Sequence, residues 1–445
     1  MDLFSLLPDF GNLVFTLLAF VVALTIIVAV HEYGHYIIGR WSGIKADVFS
    51  IGMGPVLYSR VDKHGTKWQI AAYPIGGYVK FAGDANAASG GADEDALAEL
   101  SEEEKRHTMP GAPLWARTAT VAAGPIFNFI LSTMIFAGFM FYSGIAADPL
   151  TVGKVKTMPG IEGGLEPGDK ILAIAGREAP ELEEFGKFIA DLPSSKNVEY
   201  RVSRNGQELE LTGTHPFPPL VGSVAPKSAA IDAGLKVDDL IESVDGTAIE
   251  TFDSLREIVV GGNGETITLG VLRDDTRFDL TLTPRRQDIP LAEGGFETRW
   301  LIGIGAGMVF EPATRQPGIL EALEGGWNRV TYIISSSLSG LWHMISGAIS
   351  SCNLSGPIGI AQVSGQAASQ GAGSFIAFVA TLSTAVGLIN LFPIPVLDGG
   401  HLVFFAYEAV ARKKPSEKVM NVLLIIGLAL VLSLMVFGVT NDLFC

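Results

Sequence analysis

The sequence predicts a polytopic α-helical membrane protein with four transmembrane helices and a β-rich region between the second and third of them. Three observations lead to this prediction. Four apolar stretches are long enough to cross a bilayer, and the mean hydropathy of the 445 residues is +0.36. The region between 148 and 374 instead contains short apolar runs separated by glycine turns, a pattern typical of small β-rich domains.

The four predicted spans are 1–40, 117–147, 373–400 and 417–441. Lysine and arginine are concentrated between the first and second spans and between the third and fourth. The positive-inside rule therefore places both of these loops in the cytoplasm, with both termini and the 148–374 region outside. No basic residue precedes Arg40, so a cleaved signal peptide is not expected and the first span should remain as an anchor.

Composition and cysteine content exclude several classes of protein. The net charge of −16 argues against nucleic acid as a partner and against general binding to anionic lipid. Cys352 and Cys445 show no CxxC spacing, so the sequence indicates neither a disulfide framework nor a thiolate zinc site. A serine protease is disfavoured because no Gly-x-Ser-x-Gly pattern is present.

The first cytoplasmic loop, 41–116, contains a predicted β-hairpin at about 52–82. Gly52-Met53-Gly54 precedes a strand-like run at 56–61, and a second run follows at 66–72. The turn between them is Asp62-Lys63-His64-Gly65. The residues alone leave open whether this hairpin is a plain cytoplasmic one or is associated with the membrane.

An internal repeat of 70 residues occupies the outer region. Gly164, Asp169 and Gly176 return as Gly234, Asp239 and Gly246. Each copy combines short apolar strands, glycine turns and one short helix, which predicts two β-rich domains at 150–215 and 219–285. The sequence of 164–176 resembles that of a PDZ domain. This resemblance implies that the domain binds peptide C-termini or controls the access of substrates. The second copy has 236–239 in place of Glu-Pro-Gly-Asp, which leaves open whether it keeps the turn geometry and binds peptide.

An amphipathic helix is predicted at 316–352, after the second repeat. Apolar residues there follow helical spacing, with a run of serines among the intervening positions. This helix either lies in the outer membrane interface, toward which its position before a span points, or packs on the second repeat.

The residues that indicate chemistry lie at the end of the first span, in His31-Glu32-Tyr33-Gly34-His35. Two histidines at i and i+4 lie on one helix face, so both imidazoles can reach one metal ion. Glu32 falls on the same side and is the expected general base. Burying ionisable residues at this depth costs free energy, so their presence in a membrane span indicates a function. This favours a catalytic zinc site over a chance match.

A catalytic zinc site needs a third protein ligand, and the stretch 390–401, Asn-Leu-Phe-Pro-Ile-Pro-Val-Leu-Asp-Gly-Gly-His, offers two candidates. Two prolines interrupt the helix, and irregular backbone at membrane depth is tolerated where it lines a cavity. Asp398 offers a carboxylate oxygen, whereas His401 offers the commoner zinc ligand. Zinc is the expected ion, one per chain, although a His₂-carboxylate site also accepts iron or cobalt.

Together these motifs resemble the bacterial site-2 proteases over essentially the whole chain. HExxH in the first span, Asn-x-x-Pro-x-Pro-x-Leu-Asp-Gly-Gly in the third and tandem PDZ-like domains between them carry the resemblance. Further agreement comes from 123–128, Ala-Gly-Pro-Ile-Phe-Asn, and from 355–358, Ser-Gly-Pro-Ile.

The resemblance implies a role for each matching residue. His31, His35 and Asp398 become the zinc ligands, with Asp398 preferred to His401, and Glu32 becomes the catalytic base. The implied substrate-binding residues are Asn390, Pro393 and Pro395 at the second motif, and Gly52 and Gly54 in a membrane-associated hairpin that presents an edge strand. Asn128 is assigned either to the substrate or to a structural contact between helices.

The activity implied is that of an intramembrane zinc metalloprotease, which hydrolyses peptide bonds within transmembrane segments of single-pass proteins. The implied substrates are anti-sigma factors already trimmed outside, and remnant signal peptides, in an envelope stress response at the bacterial inner membrane. The PDZ-like domains would lie in the periplasm and exclude bulky outer domains. The active site would open toward the cytoplasm.

Two other classes of protein remain as alternatives. In a membrane scaffold, the PDZ-like domains would act and the metal site would be inert, yet an inert site has no use for Glu32. In a zinc transporter, ligands would be spread along a path, whereas these converge near one depth. Metal binding without turnover would favour the scaffold, and zinc flux would favour the transporter.

Overall fold

A computed structural model describes residues 10–84, 97–98, 100–156, 164–181, 184–291 and 295–444. The chain divides into two compact units. The first contains 1–138, 323–341 and 354–445, and the second contains 139–322 and 342–353.

Four helices among the described residues are long and apolar enough to cross a membrane, in agreement with the sequence. They are α1 (Phe10–Trp41), α3 (Leu114–Ser143), α9 (Ala372–Asn390) and α11 (Glu417–Phe444). Shorter helices accompany them: α2 (Glu102–Lys105), α8 (Pro357–Ser369) and α10 (Asp398–Ala411). Many apolar side chains on the long helices are exposed, as expected of surfaces that face lipid.

The third long helix ends at Asn390, whereas the sequence predicted a span that continues to 400. Residues 391–397 form a non-helical connection, and α10 begins at Asp398. Two prolines in the connection cannot donate the backbone hydrogen bonds that a helix requires. The reversal also depends on Gly399, where an added Cβ would lie 2.3 Å from the carbonyl oxygen of Leu391.

The predicted hairpin is a strongly bent pair of strands, β1 (Ala46–Val61) and β2 (Lys67–Phe81), and it starts at 46 rather than 52. Gly52 and Gly54 both have a φ of +86°, which lets β1 bend sharply between 51 and 56. Consequently 48–51 pairs both with 67–70 and with 77–80. Phe49 and Phe81 bury their rings in a core that also contains Tyr36 of α1.

The second unit contains the two repeats, and both form a four-stranded sheet with the same strand order. The first sheet runs β6-β5-β7-β8 and the second β11-β10-β12-β13. The elements of the first copy are β4 (Val152–Val155), β5 (Lys170–Ile174), β6 (Arg177–Glu178), α4 (Phe185–Ala190), β7 (Asn197–Arg204) and β8 (Gln207–Thr214), preceded by β3 (Ile145–Ala146). Those of the second are β9 (Val221–Val224), α5 (Ala229–Asp232), β10 (Leu240–Val244), β11 (Thr247–Ala248), α6 (Phe252–Gly261), β12 (Ile267–Arg273) and β13 (Thr276–Leu282).

Strands that follow the second repeat complete both copies, which the predicted boundaries at 215 and 285 did not include. After the hairpin β14 (Arg285–Pro290) and β15 (Phe296–Leu301) come β16 (Ile304–Ala306), β17 (Phe310–Pro312) and β18 (Thr314–Arg315). The strand β16 pairs with β9, β17 with β4, and β18 with β3. Phe310 lies in the core of the first copy and Ile302 in that of the second.

The predicted amphipathic segment forms α7 (Ile319–Ile345), followed by a 3₁₀ turn at Ser351–Asn353. Within the first unit, Gly326 brings α7 against α3, because a Cβ there would lie 2.5 Å from the carbonyl oxygen of Thr133. Trp327 and Leu338 remain exposed on α7. Cys352 lies in this 3₁₀ turn, whereas Cys445 lies outside the described residues.

Candidate metal centre

His31, His35 and Asp398 lie close together. The structure therefore joins the motif at 31–35 to the motif at 390–401. The two Nε2 atoms are 3.1 Å apart. Oδ2 of Asp398 lies 3.1 Å from Nε2 of His31 and 3.5 Å from Nε2 of His35. These separations match the distance of about 3.3 Å between ligands of a tetrahedral zinc with bonds of about 2.0–2.1 Å.

Two further features of this cluster fit a metal ion. Oδ2 of Asp398 is buried and makes no hydrogen bond of acceptable geometry, despite the nearby imidazoles. On α3, a Cβ added to Gly124 would lie 2.4 Å from Nε2 of His35 and 2.7 Å from Nε2 of His31. The absent side chain therefore leaves free the space in front of the ligand atoms. A bound cation would use both the carboxylate oxygen that lacks a hydrogen bond and the free space beside the ligand atoms.

Helix packing sets the position of both histidines. Gly34 lies between them, and a Cβ there would come within 2.6 Å of the carbonyl oxygen of Ala123. The close approach of α1 and α3 therefore requires glycine at this position. The Nδ1 atom of His35 lies 2.9 Å from the carbonyl oxygen of Thr120, a contact that orients the ring with Nε2 toward the cluster. Sequence reasoning missed this contact because a backbone carbonyl leaves no side-chain signal.

Asp398 is the first residue of α10, and the two glycines after it allow the chain to turn back on itself. A Cβ on Gly400 would lie 2.3 Å from the carbonyl oxygen of Ile394. His401 lines the same cavity but is outside the group of converging ligand atoms among the described residues. Its ring instead makes an edge contact with Phe404 at 6.1 Å, and burial lowers the pKa of this imidazole.

A cavity of about 1300 Å³ opens from the cluster, with Glu32 and Asn390 in its wall. Gly77, Tyr78 and Val79 of β2 also line it. Four residues that were predicted to contact substrate do not line the described part of this cavity. They are Gly52, Gly54, Pro393 and Pro395. Gly52 instead packs against the strand backbone, where a Cβ would lie 2.8 Å from the carbonyl oxygen of Tyr73.

An ion pair between a buried arginine and a partly buried glutamate lines the cavity away from the ligand cluster. Arg117 at the start of α3 donates two hydrogen bonds to Glu408 of α10, at 2.7 and 2.9 Å, and a third at 3.0 Å to the carbonyl oxygen of Ala112. The hydrogen bonds from Arg117 lower the pKa of Glu408. This fork-to-fork pair ties the segment that carries Asp398 to α3. This pair could not be predicted from the sequence, because its partners are 291 residues apart.

The turn of the bent hairpin is bound to α1 through Asp62. Its Oδ2 accepts hydrogen bonds from the hydroxyl of Tyr36 and from Nε1 of Trp68, both at 3.1 Å. Its Oδ1 accepts from the backbone amides of His64 and Thr66. Burial acts to raise the pKa of Asp62, yet these four hydrogen bonds together lower it. The hairpin is therefore anchored one residue beyond His35.

The chain is similar to known proteins over nearly its whole length. The profile of peptidase family M50 matches residues 19–434. A protein of Rhizobium meliloti with the provisional name zinc metalloprotease is 36% identical over 441 residues, which cover 98% of each chain. The regulator of sigma E protease of Haemophilus influenzae is 32% identical over 453 residues, covering 95% of this chain and 97% of the relative. The PDZ domain of an SdrC-like protein from Listeria monocytogenes matches 20% of this chain and 84% of its own, at 22% identity and a TM-score of 0.16.

Proposed function

Because the chain belongs to peptidase family M50, we propose that it cleaves peptide bonds inside the membrane, within transmembrane segments of single-pass proteins. Family membership makes the chain a metalloprotease. The observation that carries the finer proposal is the convergence of His31, His35 and Asp398 beside Glu32, in a cavity among helices apolar enough to cross a bilayer. We assign the three converging residues as ligands of one zinc ion.

The depth of the cluster supports cleavage within the bilayer. Trp41 is the last residue of α1 and Trp115 the second residue of α3, and both rings are exposed, as in an aromatic belt at the membrane interface. At 1.5 Å per residue, His35 lies about 9 Å and His31 about 15 Å along α1 from Trp41. Half of a hydrocarbon core of about 30 Å is about 15 Å. The ligand atoms therefore lie between the interface and the midplane.

The residues of the chain then have distinct tasks in hydrolysis. Zinc bound by the three ligands would supply Lewis-acid catalysis and make water a usable nucleophile near neutral pH. Glu32 takes a proton from the attacking water, whose oxygen forms a bond to the scissile carbonyl carbon. Glu32 then gives that proton to the amide nitrogen as the C–N bond breaks. The cavity admits the water that this reaction consumes.

The edge strand at 77–80 is the part of the hairpin that we assign to the substrate. A transmembrane helix hides its amides and carbonyls in intrahelical bonds, so the scissile segment must unwind and find new partners. Residues 77–80 pair with 48–51 on one side, and Gly77, Tyr78 and Val79 of this edge line the cavity with Glu32. Gly52 and Gly54 shape the bend that holds this edge in place, and Asn390 is available to the substrate from the same wall.

The charge distribution supports the orientation of the proposed enzyme in a bacterial inner membrane. Basic residues in 40–117 and 412–418 favour a cytoplasmic side for both loops, so the two repeats would be periplasmic. There they would act as PDZ-like domains that exclude bulky substrates or bind peptide C-termini. The relative named as a sigma E protease supports an anti-sigma factor already trimmed outside as substrate, within an envelope stress response.

The test uses the purified protein in detergent with a single-pass substrate that lacks its outer domain. Wild type should cut within the hydrophobic segment, Glu32→Gln should retain zinc and lose cleavage by at least about 100-fold, and Asp398→Ala should lose zinc. His401→Ala is the matched control, since it changes a cavity residue outside the cluster and should retain zinc. If the protein binds zinc but cleaves nothing, the result would favour a membrane scaffold. If it carries zinc into vesicles, the result would favour a zinc transporter.

A further inference from the structure

The side chain of Asn128 is fully buried on α3 beside the ligand cluster, and its hydrogen bonding is incomplete. Its Nδ2 lies 3.2 Å from Nδ1 of His31, while its Oδ1 is buried with no hydrogen-bond partner. A buried polar atom without a partner destabilises the folded protein, so the assignment of the two amide atoms needs to be considered.

The protonation of a ligating histidine indicates which atom of this amide faces His31. A neutral imidazole that binds a metal through Nε2 carries its proton on Nδ1, and that N–H needs an acceptor. For His35 the acceptor is the carbonyl oxygen of Thr120 at 2.9 Å. For His31 the group that faces Nδ1 is the amide of Asn128. With Nδ2 of the amide on this side, its N–H donor would face the N–H donor of Nδ1. Oxygen and nitrogen of an amide are exchanged by a half-turn, which would place Oδ1 against the Nδ1 proton.

We propose that Asn128 is a positioning residue that accepts the Nδ1 proton of His31, and so fixes the tautomer and ring orientation that direct Nε2 toward zinc. The proposal rests on the proposed function, because it concerns the metal-bound form. It assigns to the first histidine of the motif the kind of outer partner that Thr120 provides for the second.

The helix contact made by Asn128 is separate from this role, because it uses the backbone. The carbonyl oxygen of Asn128 accepts hydrogen bonds from the hydroxyls of Ser132, at 2.9 Å, and Ser383, at 3.0 Å. Ser383 lies on α9, so this contact joins α3 to α9. Replacing the side chain of Asn128 leaves that carbonyl in place. Replacing Ser383 weakens the helix contact and leaves the amide beside His31 in place.

The experiment measures zinc affinity in detergent by competition with a chelator, together with the ligand-field spectrum of the cobalt-loaded protein and the thermal midpoint. Asn128→Leu has a similar volume but no acceptor, and should weaken zinc binding by about 10–100-fold and alter the cobalt spectrum. Asn128→Asp keeps an acceptor and should stay within about threefold of wild type by the same reasoning. Ser383→Ala is the control, which should lower the thermal midpoint without changing zinc affinity.

Wild-type zinc affinity and an unchanged cobalt spectrum in Asn128→Leu would overturn the proposal. If that variant fails to fold, Asn128→Ala replaces it with the same expectation. Equal losses of zinc in a folded Asn128→Asp and in Asn128→Leu would also overturn it, because the acceptor would then be irrelevant. A wild-type protein that binds no zinc would instead remove the proposed function on which this inference depends.

Discussion

Gly124→Ala should abolish the metal site by adding a single methyl group to α3. The added Cβ would lie 2.4 Å from Nε2 of His35 and 2.7 Å from Nε2 of His31. Ordinary contacts between such atoms are about 3.5 Å or longer, so the two imidazoles must withdraw by roughly 1 Å. Zinc–ligand distances tolerate deviations of only about 0.2 Å. Neither histidine can make that movement and still share one ion with Asp398.

The expected magnitude follows from the two displaced ligands. Loss of a single outer partner of a zinc ligand typically weakens binding by 10–100-fold. Displacement of two ligands should therefore cost at least about 100-fold, or about 2.7 kcal/mol of binding free energy. Overpacking at the junction of α1 and α3 should also lower the free energy of unfolding, by about 1–3 kcal/mol.

The assay compares this variant with Gly138→Ala on the same helix. Apart from the nearby backbone of its own helix, no atom of the described residues lies within 4 Å of the position that a Cβ on Gly138 would occupy, so the control makes the same chemical change without a steric clash. It should bind zinc and cut substrate as wild type does. We would measure zinc affinity, cleavage and the thermal midpoint of each protein. If the zinc affinity of Gly124→Ala stays within a few-fold of that of wild type and the variant still cleaves substrate, then His31 and His35 do not bind an ion beside Gly124.

Two further substitutions test the supports of the site. Arg117→Met leaves the partly buried Glu408 without its partner and should lower the free energy of unfolding by about 1–3 kcal/mol, measured by chemical denaturation in detergent. Because the folded-state pKa of Glu408 is lowered, the stability that this pair provides is present above an unfolded-state pKa of about 4.3, and it is lost as the pH falls through the folded value. Arg117→Met should therefore flatten the acid side of the stability profile, and an unchanged profile would contradict the pairing. Asp62→Ala should release the hairpin turn from α1, reducing cleavage by about tenfold through the loss of substrate alignment while zinc content stays unchanged. Loss of zinc in this variant would show that the hairpin supports the metal site rather than the substrate.

Parts of the site that are encoded locally could be predicted from the sequence. His31 and His35 lie one helical turn apart, so helix geometry alone brings them together. Residues alone left Asp398 and His401 both open, and the family resemblance rather than spacing favoured Asp398. Contacts that join distant segments left no local signal. The edge at 77–80 depends on how the two bends of the hairpin place it beside 48–51, and no periodicity in β2 reveals that register.

The limits of the repeats could not be read from the sequence for a related reason. Similarity between the copies ends with β8 and β13, so the predicted boundaries ended there as well. The cores nevertheless need Ile302 and Phe310, which come from strands after both copies. A strand of three residues that adds to an existing sheet has too little pattern to be recognised. Its position is decided by the sheet edge to which it pairs.

One pair of equivalent contacts explains why an aspartate recurs at 169 and 239. Arg204 donates two hydrogen bonds to Asp169, and Arg273 donates two to Asp239, from the corresponding strand of each copy. The side chains of both aspartates are fully buried. The hydrogen bonds from Arg204 lower the pKa of Asp169. A buried carboxylate is stable only with such a partner, so the arginine and the aspartate must be kept together.

The departure of the second copy from the repeat has a physical reason too. Gly168 has a φ of +96° and Asp238 has a φ of +70°, so both copies use the left-handed region at this turn. The backbone bonds also correspond, from Gly168 to Val152 at 2.7 Å and from Asp238 to Val221 at 2.8 Å. The turn geometry is therefore retained, which the sequence alone left open. An aspartate there is costlier than glycine, but its carboxylate pairs with Lys156 of the first copy. The substitution converts a position inside one copy into a contact between the two.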